Sequence, residues 1–302
     1  MAIALHFTTI YKGTKNILRL VSSINEFKRK FMPSEIFKFN GARSTHYDNL
    51  LGPFLFEPYG KEMANRVPVK NVQSVLELAS GTGRVTKHLR ERLPASVKLV
   101  ASDLSPDMLE IAKSKFTDGQ APEWVIADMQ NLPFESNTFD VVVCQYGIMF
   151  PPDKQKVFDE VYRVLKPGGS FLFSTWEKTD SVEIFKLIYN DHVLPFFVGE
   201  DPDRFLVPYS LHDPAQLKGY LTKGGFSQAT IERLILNGVS ESAHNLVQGF
   251  FVTHSIGQEI ANRDRAAFEN IAKSMEAKMI EKFNEPIVCE LASYFGSGIK
   301  PS

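Results

Sequence analysis

From about Ser74 the sequence alternates short apolar runs with helical stretches, and that alternation most constrains what the chain can fold into. Ser74 to Ala79, Val97 to Ser102, Glu123 to Ala127, Phe139 to Gln145 and Ser170 to Trp176 read as five strands. Helical stretches connect them. Val141, Val142 and Val143 stand side by side, which suits a strand covered on both faces and not one with a wet side. Strands alternating with helices over about 100 residues predict a parallel, doubly wound α/β sheet. Ser105 is placed to cap the helix that Pro106 opens, and Lys166-Pro167-Gly168-Gly169 makes a tight turn before the fifth strand.

The rest of the chain is less regular. Residues 180–212 read as an insertion after the fifth strand. Asp213-Pro214 starts a helix that runs to Lys223 before Gly224-Gly225. Ala229 to Leu236 and Ile287 to Tyr294 read as two further strands, completing a mostly parallel seven-stranded sheet. Between them Phe268, Ile271, Ala272, Met275, Met279 and Phe283 form one helical stripe, a packing surface. We therefore expect a leader at 1–32 and one elaborated domain at 33–302. Within that domain the core spans about 70–180, and covering helices span about 240–284.

Charge separates the leader from the body. Across 302 residues, 34 lysines and arginines nearly balance 35 aspartates and glutamates. Residues 1–32 nonetheless hold six basic side chains against Glu26 alone, a formal +5, which leaves -6 on the remainder. An acidic body argues against a nucleic-acid enzyme. In the leader, Ile17, Leu20, Val21, Ile24, Phe27 and Phe31 recur at helical spacing. Such a basic amphipathic helix suits peripheral contact with an anionic membrane, a cover over an active site, or packing elsewhere. No apolar run is long enough to span a membrane. Cys144 and Cys289 are too few for a disulfide framework or a thiolate zinc site, and they fit a reducing, cytoplasmic compartment.

The chemistry concentrates at Glu77-Leu78-Ala79-Ser80-Gly81-Thr82-Gly83. A strand ends there at a glycine turn that opens a helix, so a ligand can approach backbone at the carboxyl edge of the sheet. The third glycine of a dinucleotide fingerprint would fall on Thr86. Glu77 would repel a pyrophosphate and attract a cation. Asp103, at the end of the second strand, is placed to accept hydrogen bonds from ribose hydroxyls. A phosphate-free nucleoside with amino and sulfonium centres meets all three conditions, and S-adenosylmethionine is such a molecule.

At these residues the chain resembles class I S-adenosylmethionine-dependent methyltransferases, specifically the type 11 small-molecule group. Glu77-x-Ala79-x-Gly81-x-Gly83 follows the family's opening motif, with Ala79 where glycine is usual. Leu132-Pro133-Phe134 with Phe139-Asp140, and Leu165 to Gly169, match as well. The resemblance implies that Glu77 and the backbone near Ala79 and Gly81 face the methionine portion, with Gly83 also among the cofactor-binding residues. It puts Asp103 on the ribose, Leu104, Asp128 and Met129 around the adenine, and Gln145 at the methyl-transfer region. Tyr47 would cover the cofactor.

Methyl transfer needs alignment more than side-chain chemistry, and a general base only where the acceptor must lose a proton. His192 and His212, in the post-strand insertion, are the candidates for that base. Neither metal-ligand nor Ser/His/Asp spacing occurs. The expected activity is methyl transfer to a small O, N, S or C acceptor. Phe150, Trp176, Phe196, Phe197 and Tyr209 point to an apolar or aromatic pocket for it. A quinone-biosynthesis C-methyltransferase is the narrower alternative, and a non-catalytic S-adenosylmethionine-binding regulator is the alternative from another class.

Overall fold

The structure is a computed structural model that describes residues 45–117 and 120–302. The basic leader, including its amphipathic helix, lies outside the described residues. The sheet has seven strands: β1 (Ser74–Leu78), β2 (Lys98–Asp103), β3 (Glu123–Ile126), β4 (Phe139–Gln145), β5 (Leu165–Trp176), β6 (Ser227–Ser240) and β7 (Ile287–Ile299). Their order is β3-β2-β1-β4-β5-β7-β6, with β7 antiparallel to both neighbours and the rest parallel. The chain thus leaves β1 for β2 and β3 on one side and returns to β4 on the other. A crevice forms where the strand order reverses, at the carboxyl ends of β1 and β4.

Helices cover both faces: α1 (Glu57–Arg66), α2 (Arg84–Arg92), α3 (Pro106–Ser114), α4 (Lys154–Val164), α5 (Pro214–Lys223), α6 (Ala243–Val247), α7 (Ser255–Arg263) and α8 (Arg265–Phe283). β1 is buried throughout, and Val141 to Cys144 of β4 are sealed from water, as expected for central parallel strands. Ser105 caps α3 by accepting from the Met108 amide, and Asp213 caps α5 by accepting from Ala215. Phe268, Met275 and Met279 are the buried part of the α8 stripe. Among the described residues no helix is long and apolar enough to cross a membrane.

Three strands depart from the sequence expectation by more than one residue. β5 begins at Leu165, so the Lys166 to Gly169 turn is an irregularity inside the strand: Phe139 pairs with Leu165, and Val141 next pairs with Ser170. β6 and β7 run past their apolar alternation. In β7 the glycine that hides the pattern is required, because a Cβ on Gly296 would sit 2.0 Å from the Phe173 ring.

Two family-like motifs act as scaffold at the amino end of β4. Asp140 accepts from the Gln73 and Ser74 amides, both at 2.9 Å, and from Lys166 Nζ at 2.8 Å. Partial burial opposes its ionisation, yet these donors hold its carboxyl below the usual range. Arg163 ties the Leu132–Phe134 turn by donating to both of those residues' carbonyls.

A π-helical segment, Tyr47–Phe56, precedes α1. Tyr59 anchors α1 beneath the sheet's antiparallel side: its hydroxyl donates to the Leu291 carbonyl and accepts from the Leu236 amide at 3.2 Å.

Candidate active site

At the carboxyl edge of the sheet lies one cavity of about 610 Å³. β1 delivers Glu77, which is only 2% exposed and whose Oε2 has no hydrogen-bond partner. Burial pushes its carboxyl up to about 8, and the nearby Asp103 carboxylate adds to the effect. The turn that follows has left-handed backbone at Ala79 (φ 50°) and Gly81 (φ 55°). A Cβ on Gly81 would meet nothing nearer than the Ala79 carbonyl at 4.0 Å, so it would project into the open space.

β2 ends on Asp103, whose two oxygens accept from the Gly81 and Ser105 amides, each at 2.8 Å. Burial raises its carboxyl, and those amides oppose the rise. After β3, Asp128 accepts from the Gln130 amide at 2.8 Å. Gln145 ends β4. Its Nε2 donates to the Phe56 carbonyl at 3.0 Å, while its buried Oε1 has no partner. Tyr47 closes the opposite wall, and burial raises its phenol well above the usual range.

Tyr47, Glu77, Ala79, Gly81, Asp103, Leu104, Asp128, Met129 and Gln145 therefore all line this cavity. Gly83 does not. It caps α2 at φ 81°, and a Cβ there would come within 2.9 Å of Ala112 Cβ, so the position is small in order to let α3 pack. Neither His192 nor His212 reaches the cavity. His192 is bonded through Nδ1 to the Leu187 carbonyl at 2.6 Å and through Nε2 to Ser274 at 3.1 Å, and His212 Nδ1 meets the Tyr209 carbonyl at 2.7 Å. Both are engaged in local structure.

Beyond Gln145 the cavity widens into an aromatic chamber walled by Tyr146, Phe150, Trp176, Tyr189, Tyr209 and Phe250. Of the aromatics expected there, Phe150, Trp176 and Tyr209 are present. Phe196 and Phe197 are not, Phe197 packing instead on Phe205 at 4.3 Å. Tyr189 and Tyr209 face each other edge to face at 5.2 Å, and burial keeps both phenols protonated, Tyr189 pushed up to about 12. The histidine of this chamber is His254, which precedes α7 and was not singled out from the sequence. Its Nδ1 accepts from the Ile256 amide at 3.3 Å. Nothing in its local sequence marks it, because it reaches the chamber only through the packing of α7.

Comparison with known proteins bears directly on this geometry. A family profile described as a methyltransferase domain matches residues 75–169. The ubiquinone/menaquinone biosynthesis C-methyltransferase UbiE of Klebsiella pneumoniae (strain 342) is 31% identical over 199 residues, covering 62% of this chain and 74% of that protein. The chain belongs to the class I S-adenosylmethionine-dependent methyltransferases. The UbiE of Idiomarina loihiensis is 26% identical over 220 residues, covering 68% of this chain and 87% of that protein. Among solved structures, the Haemonchus contortus phosphoethanolamine N-methyltransferase 2 in complex with S-adenosyl-L-methionine shares the fold, with a TM-score of 0.56 at 18% identity. It is matched over 92% of this chain, which spans 60% of its length. The methyltransferase described here thus uses S-adenosylmethionine.

The residues present fit that cofactor. Glu77 Oε2 and Gln145 Oε1 are buried acceptors without partners at the cavity wall, which cationic and donor groups would satisfy. The bare face of Gly81 leaves the space that a side chain would fill.

Proposed function

We propose that this methyltransferase acts on a small, largely apolar acceptor bearing an aromatic or quinone-type ring. One observation carries the reading: a single cavity runs without a break from Glu77 and Asp103 to the chamber of Tyr146, Phe150 and Trp176. Both reactants then share one water-poor space. In this reading Glu77 and the backbone at Ala79 and Gly81 receive the methionine portion. Asp103 receives the ribose hydroxyls, and Leu104, Asp128 and Met129 border the adenine. Gln145 and Tyr47 border the point of transfer.

Bound S-adenosylmethionine supplies an electrophilic methyl group on a positive sulfur. The chain supplies the rest. The aromatic walls exclude water and hold the acceptor in line, and alignment of this kind is worth roughly 7–11 kcal/mol. Glu77 gives a counter-charge in a site of low polarity. His254 lines the chamber with Nδ1 accepting from the Ile256 amide, and it is the histidine placed to meet an oxygen of the acceptor.

A ring carbon is the narrower acceptor, and the C-methyltransferase names of the relatives support it. Reducing surroundings, as in cytoplasm, accord with the free buried Cys144 and Cys289. The test is methyl transfer measured across hydroquinone, phenol, thiol and amine acceptors, with the product's methylated atom identified. We expect the hydroquinone to be methylated on carbon. Activity confined to protein or nucleic acid would refute the assignment.

A further inference from the structure

The segment Tyr47–Phe56 belongs to no strand pair, yet Tyr47, Leu51, Leu55 and Phe56 form a wall of the cavity. A buried carboxylate ties down its start. Asp48 is 6% exposed and accepts from Thr82 Oγ1 at 2.7 Å and from Arg84 Nε at 3.0 Å. Its second oxygen pairs with Lys115 Nζ at 2.6 Å. Arg84 also donates to the Asp48 carbonyl at 2.6 Å and to Glu57 Oε2 at 2.8 Å. It can lie so close only because residue 52 has no side chain: a Cβ on Gly52 would fall 2.2 Å from the guanidinium. At the other end, Gln145 holds the Phe56 carbonyl.

The groups that Asp48 gathers are not scattered. Thr82 stands between Gly81, whose amide is bonded to Asp103, and Gly83, which opens α2. Arg84 is the first residue of α2, and Lys115 caps the end of α3. One buried carboxylate thus joins the covering segment to the glycine turn and to both helices that follow the first two strands. Among the described residues, the cations Arg84 and Lys115 face the carboxylates of Asp48 and Glu57, and His88 Nε2 is also bonded to Glu57 at 2.7 Å. Buried clusters of this sort contribute geometric definition more dependably than net stability.

We propose that Asp48 is a positioning residue that, through Thr82 and Arg84, fixes the glycine turn and clasps Tyr47–Phe56 over the cofactor, so that it sets how long the cofactor stays bound. The proposal rests on the cavity being the cofactor site. Release of the clasp withdraws four wall residues together and frees the turn at Thr82.

The test is the dissociation rate of S-adenosylhomocysteine from the full chain, followed by stopped-flow fluorescence, with ligand-free melting curves recorded alongside. Asp48→Asn removes the charge. Gly52→Ala keeps every charge and displaces Arg84, so it decides the matter if Asp48→Asn does not fold. Each is expected to speed dissociation by about ten- to hundredfold, with association changed far less. Asp48→Asn and Thr82→Val should be non-additive in that rate, because they act along one path. Dissociation at the wild-type rate from a folded Gly52→Ala variant would overturn the proposal. Absence of binding by the wild-type chain would instead overturn the cofactor assignment beneath it.

Discussion

Tyr146 lies flat on Trp176, with ring centroids 3.8 Å apart and planes within 7°. Tyr146 directly follows β4 and Trp176 ends the adjacent β5, so their stack is where the sheet becomes the floor of the chamber. Tyr146 has φ 52°, a backbone conformation that costs a side-chain-bearing residue about 1–2 kcal/mol. The stack and a 3.1 Å hydrogen bond from its hydroxyl to Ser293 Oγ hold it there. Tyr146→Phe should cost about 1–2 kcal/mol of unfolding free energy in urea and leave acceptor KM nearly unchanged, since the ring stays. Trp176→Ala should cost about 3–5 kcal/mol and raise acceptor KM, with cofactor affinity preserved. Equal losses of cofactor and acceptor affinity in Trp176→Ala would show that the floor serves both reactants.

Glu77 makes cofactor binding depend on pH. Burial lifts its carboxyl from 4.5 to about 8, so the ligand-free site holds a proton near neutrality. A bound cation favours the carboxylate and lowers that value, so binding releases a proton and affinity rises with pH until about pH 8. Calorimetry in buffers of different ionisation enthalpy will count the proton, and Glu77→Gln should abolish the dependence. Folding stability runs the opposite way. The native state holds a proton that the unfolded state has lost, so stability present below pH 4.5 declines as pH rises through about 8. The same substitution should flatten that decline.

Asp103 already accepts two backbone amides, and its remaining lone pairs are the acceptors assigned to the ribose hydroxyls in the proposed site. Asp103→Ala removes charge-assisted acceptors worth about 1.5–3 kcal/mol each. Affinity for S-adenosylhomocysteine should fall by about hundredfold or more in calorimetry. Asp103→Asn, which retains one acceptor oxygen, should fall between that variant and the wild type. Wild-type affinity in Asp103→Ala would place the ribose elsewhere.

That Glu77, the glycine turn and Asp103 would share one cavity was legible in the sequence because that part of the wall is built locally. Glu77, the glycine turn and Asp103 sit at strand ends, and strand ends can be read from apolar periodicity. Spacing alone did not separate Gly81, whose bare face opens on the cavity, from Gly83, whose bareness admits Ala112. The acceptor side was only partly legible. Tyr189, Phe250 and His254 come from segments far apart in sequence and meet only through tertiary packing. β7 was cut short for a similar reason: Gly296 interrupts the pattern in order to seat the Phe173 ring.

The histidines separate position in sequence from position in space. His192 and His212 lie in the insertion after β5, but neither lines the cavity: His192 bonds to Leu187 and Ser274 through its two ring nitrogens, and His212 Nδ1 bonds to the Tyr209 carbonyl. His254 lines the chamber, with its Nδ1 accepting from the Ile256 amide. His254→Ala should lower kcat by about hundredfold on an oxygen-bearing acceptor, at the lower end of what a positioned proton donor contributes, with cofactor affinity unchanged. His254→Gln, which can still donate, should recover part of that loss. His192→Ala and His212→Ala should turn over close to the wild-type rate. A large loss of kcat in His212→Ala with His254→Ala unaffected would return the role to the insertion and require the chamber to rearrange when the acceptor binds.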